Sequence, residues 1–273
     1  MGSGEVSKSL DAQRYARHMV LSGVGAEGQG KIGRARVLVV GAGGLGSPIL
    51  MYLAAAGVGT IGIVDDDGIE LSNLQRQIAH GQADLGRLKS ESARDAVVAI
   101  NPSVHVETWP DRIGPDNAHD IVVRYDVVVD ALDSISCRLA LSDACVEASK
   151  PMVHGAVAGW FGEAMTFVPG EGPCYRCLYG GASDGTEAFA DGRDHGGSGP
   201  LDPQRIGVLS SVPGVIGCIQ ATEVFKLIVG HGELLMGRLL LWDALRMSFD
   251  EVRVVQDPDC PCVGRRILND NRG

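Results

Sequence analysis

The sequence has no long apolar run, no export signal and no polybasic block, and each absence excludes a class of protein. No apolar run reaches the ~18 residues expected of a membrane span, and the first ~30 residues lack the charged-then-apolar order of a secretory signal. The formal charge is −10, from 24 basic and 34 acidic residues, which argues against nucleic acid or an anionic membrane as the main partner. The 273 residues are therefore expected to form a globular protein of the cytoplasm.

Cysteine and histidine patterns exclude further classes. Seven cysteines, an odd number without an export signal, do not suit a disulfide framework. The seven histidines are scattered, with no zincin or triad spacing, so none is assigned a catalytic role. The sequence Gly-x-x-x-x-Gly-Lys-Ser/Thr is also absent, which excludes a P-loop nucleotide hydrolase.

Between residues 35 and 150, buried strand patterns alternate with helical patterns. Continuous apolar runs such as 37–40 are typical of strands covered on both faces. This order predicts an α/β fold with a doubly wound, Rossmann-like, mostly parallel sheet whose ligand lies at the carboxyl ends of the strands. The predicted strands are 37–40, 60–64, 104–108 and 125–133, and the predicted helices are 47–57, 89–100 and 136–148.

The remaining segments differ from this alternating region. Residues 11–34 are expected to form a short helix followed by a glycine-rich loop. The glycine-rich stretch 180–199 has little apolar content and is typical of a disordered segment or a functional cover. From Pro151 the chain predicts an antiparallel C-terminal extension with strands at 152–157, 164–168, 239–242 and 252–255 and a helix at about 215–229.

A glycine loop follows the first predicted strand and opens the first predicted helix. Gly41, Gly43 and Gly46 allow a tight turn, and the amino end of the helix can then hold a phosphate. Asp65 ends the second strand, where it would bind the ribose hydroxyls. The two aspartates that follow Asp65 are interpreted as solvated acids at the end of the strand, although one of them could orient a neighbouring basic group. The motif predicts nucleotide binding, with a merely tight turn as the alternative.

Polar residues that follow the glycine loop predict ATP chemistry. Cleavage between the α- and β-phosphates needs cations on the departing pyrophosphate and an acidic ligand for Mg²⁺. Arg76 and Lys89 suit the first role, and Asp133 suits the second. Each taken singly could be a solvated surface residue, but all are predicted at one edge of the sheet, with Asn73 and Gln77 beside them. An NAD-dependent oxidoreductase could use the same loop, but has no obvious use for these amide and guanidinium groups.

Two close cysteine pairs predict a metal site. Cys174 and Cys177 have a knuckle spacing, and Cys260 and Cys262 form a second pair near the end of the chain. Four thiolates in this arrangement suggest a structural, tetrahedral Zn²⁺ site that staples the tail to the body. The alternatives are four unrelated thiols or a redox role for the first pair. The other three cysteines lie in helix-like apolar patterns and are expected in the core: Cys137, Cys145 and Cys218.

Together these motifs resemble the MoeB/ThiF adenylyltransferases, bacterial relatives of the ubiquitin-activating enzymes. The resemblance covers most of the chain, from Arg-Tyr-x-Arg at 14–17 through Gly-Ala-Gly-Gly-Leu-Gly, Leu-Ser-Asn-Leu-Gln-Arg-Gln and Pro-Cys-Tyr-Arg-Cys-Leu to the last cysteine pair. It implies ATP- and Mg²⁺-dependent adenylation of the C-terminal glycine of a small ubiquitin-fold sulfur carrier that ends in Gly-Gly. Pyrophosphate would be released, and the carrier would be activated for thiocarboxylate formation in molybdopterin, thiamine or specialised thio-metabolite biosynthesis.

The resemblance also implies roles for particular residues. Arg17 would reach the phosphates of a partner subunit, which implies a homodimer, and the four paired cysteines would bind zinc. The chain would be one adenylation domain, with a dimer arm at 11–34, a nucleotide-binding half at 35–150 and a carrier-binding half at 151–273 that includes a crossover loop at about 178–206. Nucleotide contacts would come from Gly44, Asp65, Ser72, Asn73, Leu74, Gln75, Arg76, Lys89, Asp133 and Ser134.

The sequence departs from the family pattern at several points. Pro203 stands where many relatives carry a cysteine, which argues against a covalent enzyme-thioester step. The last cysteine pair is Cys-x-Cys where Cys-x-x-Cys is usual, which could strain the zinc site. Ser134 replaces the usual asparagine, which puts in doubt one hydrogen bond between this position and the nucleotide. The sequence carries no rhodanese domain, so a separate sulfur donor protein is expected.

Two further alternatives stay open at this point. A binding module without catalysis could retain a ubiquitin-like partner, for which Ser134 and Pro203 are the hints. Adenylation of the terminus of a small peptide would use the same chemistry as adenylation of a carrier.

Overall fold

The computed structural model describes residues 13–179, 207–260 and 262. Within them eight strands form a single sheet: β1 Arg36–Val40, β2 Thr60–Val64, β3 His105–Trp109, β4 Val127–Asp130, β5 Met152–Ala158, β6 Phe161–Phe167, β7 Arg238–Asp243 and β8 Ser248–Arg253. The strand order is β3-β2-β1-β4-β5-β6-β7-β8. Strands β1 to β5 pair in parallel, and β5 to β8 pair antiparallel. The predicted mixed sheet is confirmed.

Helices cover both faces of this sheet. They are α1 Ala16–Met19, α2 Gly25–Ile32, α3 Gly46–Ala56, α4 Lys89–Ile100, α5 Ala118–Val122, α6 Ile135–Glu147, α7 Tyr175–Tyr179 and α8 Ser211–Val229, with 3₁₀ turns at Leu71–Asn73 and Gln82–Asp84. Helices α3, α4 and α8 contribute to one apolar core, and α5, α6 and α7 contribute to the other. The fold is therefore doubly wound, as the sequence predicts.

Strand β1 shows why the continuous apolar runs become central strands. Val37 and Val39 belong to the core on one face, whereas Leu38 and Val40 belong to the core on the other. All four are fully buried. A strand between two helical layers needs apolar side chains at every position, because successive side chains point to opposite faces.

The glycine-rich segment after residue 23 is a helix, so the predicted loop is wrong there. Helix α2 packs against the end of α8, where a Cβ atom on Gly28 would lie 3.2 Å from the side chain of Val229. Gln29 also donates a hydrogen bond of 2.8 Å to the carbonyl oxygen of Ala56. These tertiary contacts stabilise a helix whose glycines give it a weak intrinsic propensity.

Several other boundaries differ from the sequence prediction. Helices α5 and α7 were not predicted, since five residues are too few for an apolar period to show. Strand β8 begins at Ser248, earlier than predicted, and α8 begins at Ser211. The glycine-rich stretch 180–199 and Pro203 lie outside the described residues.

Helix α8 is the one described helix long and apolar enough to cross a membrane by length and composition, with a mean hydropathy of 1.5 over 18 residues. The sequence predicts this helix at about 215–229 but no membrane span, because Gln220, Glu223 and Lys226 interrupt its apolar run. Gln220 and Glu223 are buried, and the helix packs against α3, β5 and β6. Its position is that of a core helix in a layered α/β fold.

The strand order creates a crevice between β1 and β4. The chain leaves β1 toward β2 on one side, and the neighbour on the other side is β4, which is reached later in the chain. In open α/β sheets, ligands bind at such a switch point, outside the carboxyl ends of the strands. The glycine loop follows β1, and Asp133 follows β4, so both lie at this crevice.

Candidate nucleotide site

A cavity of about 570 Å³ lies at the switch point. Eight of the residues that the sequence predicts for the site line it: Gly41, Gly43, Gly44, Asp65, Arg76, Lys89, Asp133 and Ser134. These residues come from positions 41 to 134, and only the sheet topology brings them together. The predicted site residues that do not line the cavity are Arg17, Gly46, Ser72, Asn73, Leu74 and Gln75.

The glycine loop has a shape that larger residues would not allow. Gly41 has φ of +102°, a backbone conformation that favours glycine. A Cβ atom on Gly46 would overlap the carbonyl oxygen of Gly41, so the first turn of α3 packs directly on the loop. Behind the loop, the His80 ring lies 2.9 Å from both the Ala42 carbonyl oxygen and the Ser92 hydroxyl. The loop is therefore held in a single shape before any ligand binds.

Asp65 lies directly after β2 and faces this loop. Its carboxylate accepts hydrogen bonds from the backbone N–H groups of Ala42, at 2.7 Å, and Asp67, at 2.9 Å. Burial raises the pKa of Asp65, and the N–H of Ala42 and the charge of Lys89 offset part of this rise. A half-buried carboxylate at this point can accept hydrogen bonds from ribose hydroxyls.

Lys89 is held beside Asp65 by Asp67. Its ammonium group lies 2.7 Å from the Asp67 carboxylate, and its backbone N–H donates to the Asp67 carbonyl oxygen at 2.9 Å. The Lys89 side chain is only 9% exposed, whereas that of Asp67 is 66% exposed. Lys89 thus lines the cavity while its ammonium group pairs with Asp67, and the sequence inference that one acid beside Asp65 orients a basic group is supported.

The segment before Arg76 forms a tight turn at the rim of the cavity. Asn73 accepts a hydrogen bond of 3.1 Å from the backbone of Glu70, and Ser72 offers its carbonyl oxygen to the Arg76 guanidinium at 3.2 Å. Gln75 donates to the carbonyl oxygen of Val208 at 3.5 Å. In this structure residues 72–75 position Arg76, and their direct contacts with a nucleotide stay predictions.

Asp133 and Ser134 follow β4 on the opposite side of the cavity. Asp133 is exposed at the cavity wall, and an exposed carboxylate is the kind of oxygen ligand that Mg²⁺ prefers. Ser134 directly precedes α6, and its hydroxyl lies 3.0 Å from that of Ser136. The residues present therefore fit a magnesium site at Asp133.

Arg17 lies on α1 and is exposed. It is not among the residues that line the cavity of its own chain. The prediction that it enters the site of a partner subunit stays a prediction, since the structure holds one chain.

The sequence analysis assigned no site role to several residues that line the cavity. Cys137 is buried, as expected of a core residue, but it also lines the cavity, as does Arg112. Arg112 follows β3, so the rule that ligands meet strand ends could have identified it. Gln77, which the sequence predicts beside Arg76, lines the cavity as well. Others required the fold: Asp111, Arg138, Val208 and Pro213.

A fully buried polar network lies beneath the cavity. The His154 ring lies 2.7 Å from the Asp130 carboxylate and 3.3 Å from that of Glu163, and the Tyr179 hydroxyl donates to Glu163. The Arg138 guanidinium lies 3.5 Å from Asp130. Burial alone would lower the pKa of His154, but the hydrogen bonds to Asp130 and Glu163 raise it. The network therefore places two carboxylates beside a guanidinium and an imidazole whose raised pKa favours its protonated form.

The four paired cysteines form a second candidate site. Their Sγ atoms all lie within 4.8 Å of one another, with Cys174 to Cys260 at 3.5 Å and Cys177 to Cys262 at 3.6 Å. Tetrahedral zinc with Zn–S bonds of ~2.3 Å requires sulfur atoms about 3.8 Å apart, which is close to these separations. The short Cys-x-Cys spacing thus still brings both of its thiols to the cluster.

Comparison with known proteins agrees with this geometry. Residues 15–262 match the model of the ThiF family. The SAMP-activating enzyme E1 of Haloferax volcanii is 48% identical over 259 residues, which cover 94% of this chain and 91% of that protein. The sulfur carrier protein adenylyltransferase of Thermus thermophilus is 41% identical over 265 residues, which cover 93% and 91%. The probable adenylyltransferase/sulfurtransferase MoeZ of Mycobacterium tuberculosis is 43% identical, and the match covers 92% of this chain but 62% of MoeZ.

A solved structure shows the same fold at lower identity. The crystal structure of Escherichia coli MccB with MccA-N7isoASN has a TM-score of 0.79 and 23% identity, over 93% of this chain and 74% of that one. At this identity the likeness concerns the fold alone. The family model and the relatives cover nearly all of the chain, and the chain therefore belongs to the ThiF family.

Proposed function

We propose that the protein adenylates the C-terminal glycine of a ubiquitin-like sulfur carrier, using ATP and releasing pyrophosphate. The activated carrier then serves thiocarboxylate formation. The observation that carries the proposal is the meeting of the glycine loop, Asp65, Arg76, Lys89 and Asp133 at one cavity. The names of the Haloferax and Thermus relatives, a SAMP-activating enzyme and a sulfur carrier protein adenylyltransferase, favour the same reaction. An oxidoreductase that shares only the glycine loop and Asp65 is less well supported.

The reaction needs no proton acceptor, because the nucleophile is already an anion. An oxygen of the carrier carboxylate forms a bond to the α-phosphorus as the bond to the pyrophosphate oxygen breaks, and the electron pair leaves with pyrophosphate. Positioning and charge neutralisation therefore supply most of the rate. In this cavity Asp65 holds the ribose, the loop and the amino end of α3 hold phosphate oxygens, and Arg76 and Lys89 offset the charge of the leaving group.

Asp133 is the proposed magnesium ligand. Mg²⁺, when bound, neutralises phosphate charge and fixes the orientation of the polyphosphate. Asp133 lies across the cavity from Lys89, so the nucleotide would lie between a carboxylate-bound cation and an ammonium group. Lys89 must turn from Asp67 toward the phosphates, which then replace the Asp67 carboxylate as the anionic partner of the buried ammonium group.

The remaining parts of the proposal concern metal and partners. The cysteine cluster holds a structural Zn²⁺, the whole chain acts as one adenylation domain, and two chains form a homodimer in which Arg17 of each enters the other's cavity. The sulfur donor is a separate protein, and the reaction takes place in the cytoplasm. The fit of the four Sγ atoms to tetrahedral zinc supports the first point, and the exposure of Arg17 on α1 supports the dimer.

The test is exchange of radiolabelled pyrophosphate into ATP in the presence of a ubiquitin-fold protein ending in Gly-Gly from the same genome. We expect exchange only when this carrier is present. Asp133→Asn, which retains shape but removes the charge, should reduce exchange about 100-fold or more, as expected for loss of a group that stabilises transition-state charge. Exchange by the variant at the wild-type rate would exclude Asp133 as the magnesium ligand. Absence of exchange with every Gly-Gly carrier would exclude the proposed function.

A further inference from the structure

Gln77 carries a buried side-chain amide that makes no hydrogen bond to the residues that the structure describes. The residue is 3% exposed, yet it lines the cavity. Its backbone is fixed, since its N–H donates to Asn73 at 3.0 Å and its carbonyl accepts from His80 at 3.1 Å. Its side-chain oxygen is fully buried and has no hydrogen-bond partner in the part of the chain that the structure describes.

His80, one turn further along, shows what a purely structural polar residue looks like here. It is also buried, but each of its ring nitrogens has a partner, the Ala42 carbonyl oxygen and the Ser92 hydroxyl. Buried polar groups are normally satisfied, and an exception calls for a ligand or a catalytic role. The contrast between two residues on one segment indicates that the Gln77 amide is reserved for a ligand.

The position of Gln77 identifies which part of the ligand it meets. A Cβ atom on Gly43 would lie 3.4 Å from the Gln77 amide nitrogen, so the amide lies against the centre of the glycine loop. The next residue of the loop, Gly44, packs against Pro213 near the start of α8, with Val208 close by on the cavity wall. The Gln77 amide thus contacts the glycine loop, and the loop in turn contacts Pro213 at the cavity wall.

The charges around Gln77 restrict its role further. Two of the basic side chains that line the cavity, Arg76 and Lys89, suit the pyrophosphate that departs, and Asp133 lies after a different strand. The other two, Arg112 and Arg138, line the cavity as well. A neutral amide can donate an N–H to an oxygen of the reacting phosphoryl group without binding pyrophosphate tightly. Of the two ends of the Gln77 amide, the oxygen is fully buried, whereas the NH₂ lies against Gly43 of the loop, from where it can donate to a ligand in the cavity.

We propose that Gln77 is a catalytic contact residue that donates a hydrogen bond to a nonbridging oxygen of the α-phosphoryl group as the carrier carboxylate adds to phosphorus. This inference rests on the proposed function and adds a residue to it. The bond strengthens as charge builds on that oxygen in the transition state, so its loss should lower the rate more than the affinity for ATP.

The test compares Gln77→Met, which is close in size but cannot donate, with wild type and with Gln82→Met. Gln82 is exposed on the second 3₁₀ turn and does not line the cavity. The readouts are kcat of carrier-dependent pyrophosphate exchange, the Kd of the α,β-methylene analogue of ATP, and Tm. For Gln77→Met we expect kcat to fall about 100-fold while Kd changes less than about threefold. Gln82→Met should match wild type.

The possible outcomes are distinct. Wild-type exchange by Gln77→Met overturns the inference and leaves the proposed function intact. An equal loss in exchange and in analogue affinity also overturns it, because Gln77 would then bind ground state and transition state alike. If Gln77→Met does not fold, Gln77→Glu replaces it. We expect Gln77→Glu to lose exchange and to bind the analogue more weakly, because its carboxylate repels the phosphates. Exchange by Gln77→Glu at the wild-type rate would overturn the inference. Absence of exchange by wild type overturns the proposed function itself, and this inference with it.

Discussion

At the scale of single residues, His154 has no role in the sequence prediction but lies at the centre of the buried polar network. It lies on β5, fully buried, and joins the carboxylate at the end of β4 to the carboxylate on β6. Removal of one partner from a buried charged network leaves the others unpaired, which costs about 3–5 kcal/mol. When it is protonated, the His154 imidazole stabilises the floor of the cavity by balancing Asp130 and Glu163.

This balance predicts a pH-dependent stability. The pKa of His154 is raised above its ordinary value of 6.5, so its contribution is fully present below that pH and is lost as pH rises through the raised value. We expect His154→Leu to lower the free energy of unfolding by about 3–5 kcal/mol at pH 6 and by less at pH 9. Urea unfolding at both pH values measures the difference.

The matched control is His105→Leu, since His105 is exposed on β3 and should change stability little at either pH. A cost of His154→Leu that stays the same from pH 6 to pH 9 would show that the imidazole is not held protonated.

The sequence predicts individual site residues where a motif or a strand end marks them. Asp65 and Lys89 are of this kind, and both lie in the cavity. The partnership of Asp130, His154 and Glu163 carries no such mark, because it depends on the pairing of β4 with β5 across helix α6 and of β5 with β6. Gln77 is within a motif, but only the structure shows that its side-chain oxygen is buried without a partner.

At the scale of elements, the glycine loop depends on direct contact between its two ends. Gly46→Ala would place a methyl group on the carbonyl oxygen of Gly41, which is backbone and cannot turn aside. We expect this change to weaken ATP binding by at least about tenfold, equivalent to about 1.4 kcal/mol, because the loop must open to relieve the overlap. Calorimetric titration with ATP measures the loss.

Gly114→Ala is the control for this change, since a Cβ atom there meets nothing within 4 Å and its φ is not positive. If Gly46→Ala binds ATP as well as wild type does, the loop is more adaptable than its packing indicates.

The segment that carries Cys260 and Cys262 is joined to α7 by the cysteine cluster. We expect one zinc per chain in the purified protein and loss of that zinc in Cys262→Ala, with a lower Tm, because four thiolates are needed to close a structural site. Metal analysis by mass spectrometry and thermal unfolding provide the measurements. Cys218→Ala, which lies on α8 outside the cluster, should keep its zinc. Full zinc occupancy in Cys262→Ala would remove that cysteine from the ligand set.

Predicted element boundaries agree best with the structure where glycine, proline or asparagine marks an end of the element in the sequence. Thr60–Val64 and Lys89–Ile100 agree with prediction, since glycine precedes the strand and Asn-Pro follows the helix. Helix α2 was missed because its stability comes from contacts with α8, nearly two hundred residues away, as the hydrogen bond from Lys31 to Val229 illustrates. Local composition carries no information on such contacts.

At the scale of the whole molecule, the proposed homodimer makes each active site a product of two chains. Arg17→Ala and Asp133→Ala should each lack pyrophosphate exchange alone. After the two variants are mixed and allowed to exchange subunits, we expect activity to return to about a quarter of the wild-type rate. Random pairing makes half of the dimers mixed, and each mixed dimer holds one complete site. Pyrophosphate exchange before and after mixing gives the answer.

The controls are each variant mixed with itself, which should stay inactive. If the mixture remains inactive although subunits have exchanged, Arg17 does not complete a partner's site. Activity of Arg17→Ala on its own would show that this residue is dispensable.

The continuous sheet has one more consequence, for attempts to recombine members of this family. The seam between the proposed nucleotide-binding and carrier-binding halves runs along β4 and β5. It is crossed by the contact of Asp130 with His154 and by the Gln220 amide, which donates to the carbonyl oxygens of Asp130 and Val153. Consider a chimera that is joined at residue 150, with the sequence on one side taken from another family member. It would leave charged groups and carbonyl groups in the interior without their partners. Asp130, His154, Glu163 and Gln220 must therefore be transplanted as one set if carrier preference is to be moved between proteins.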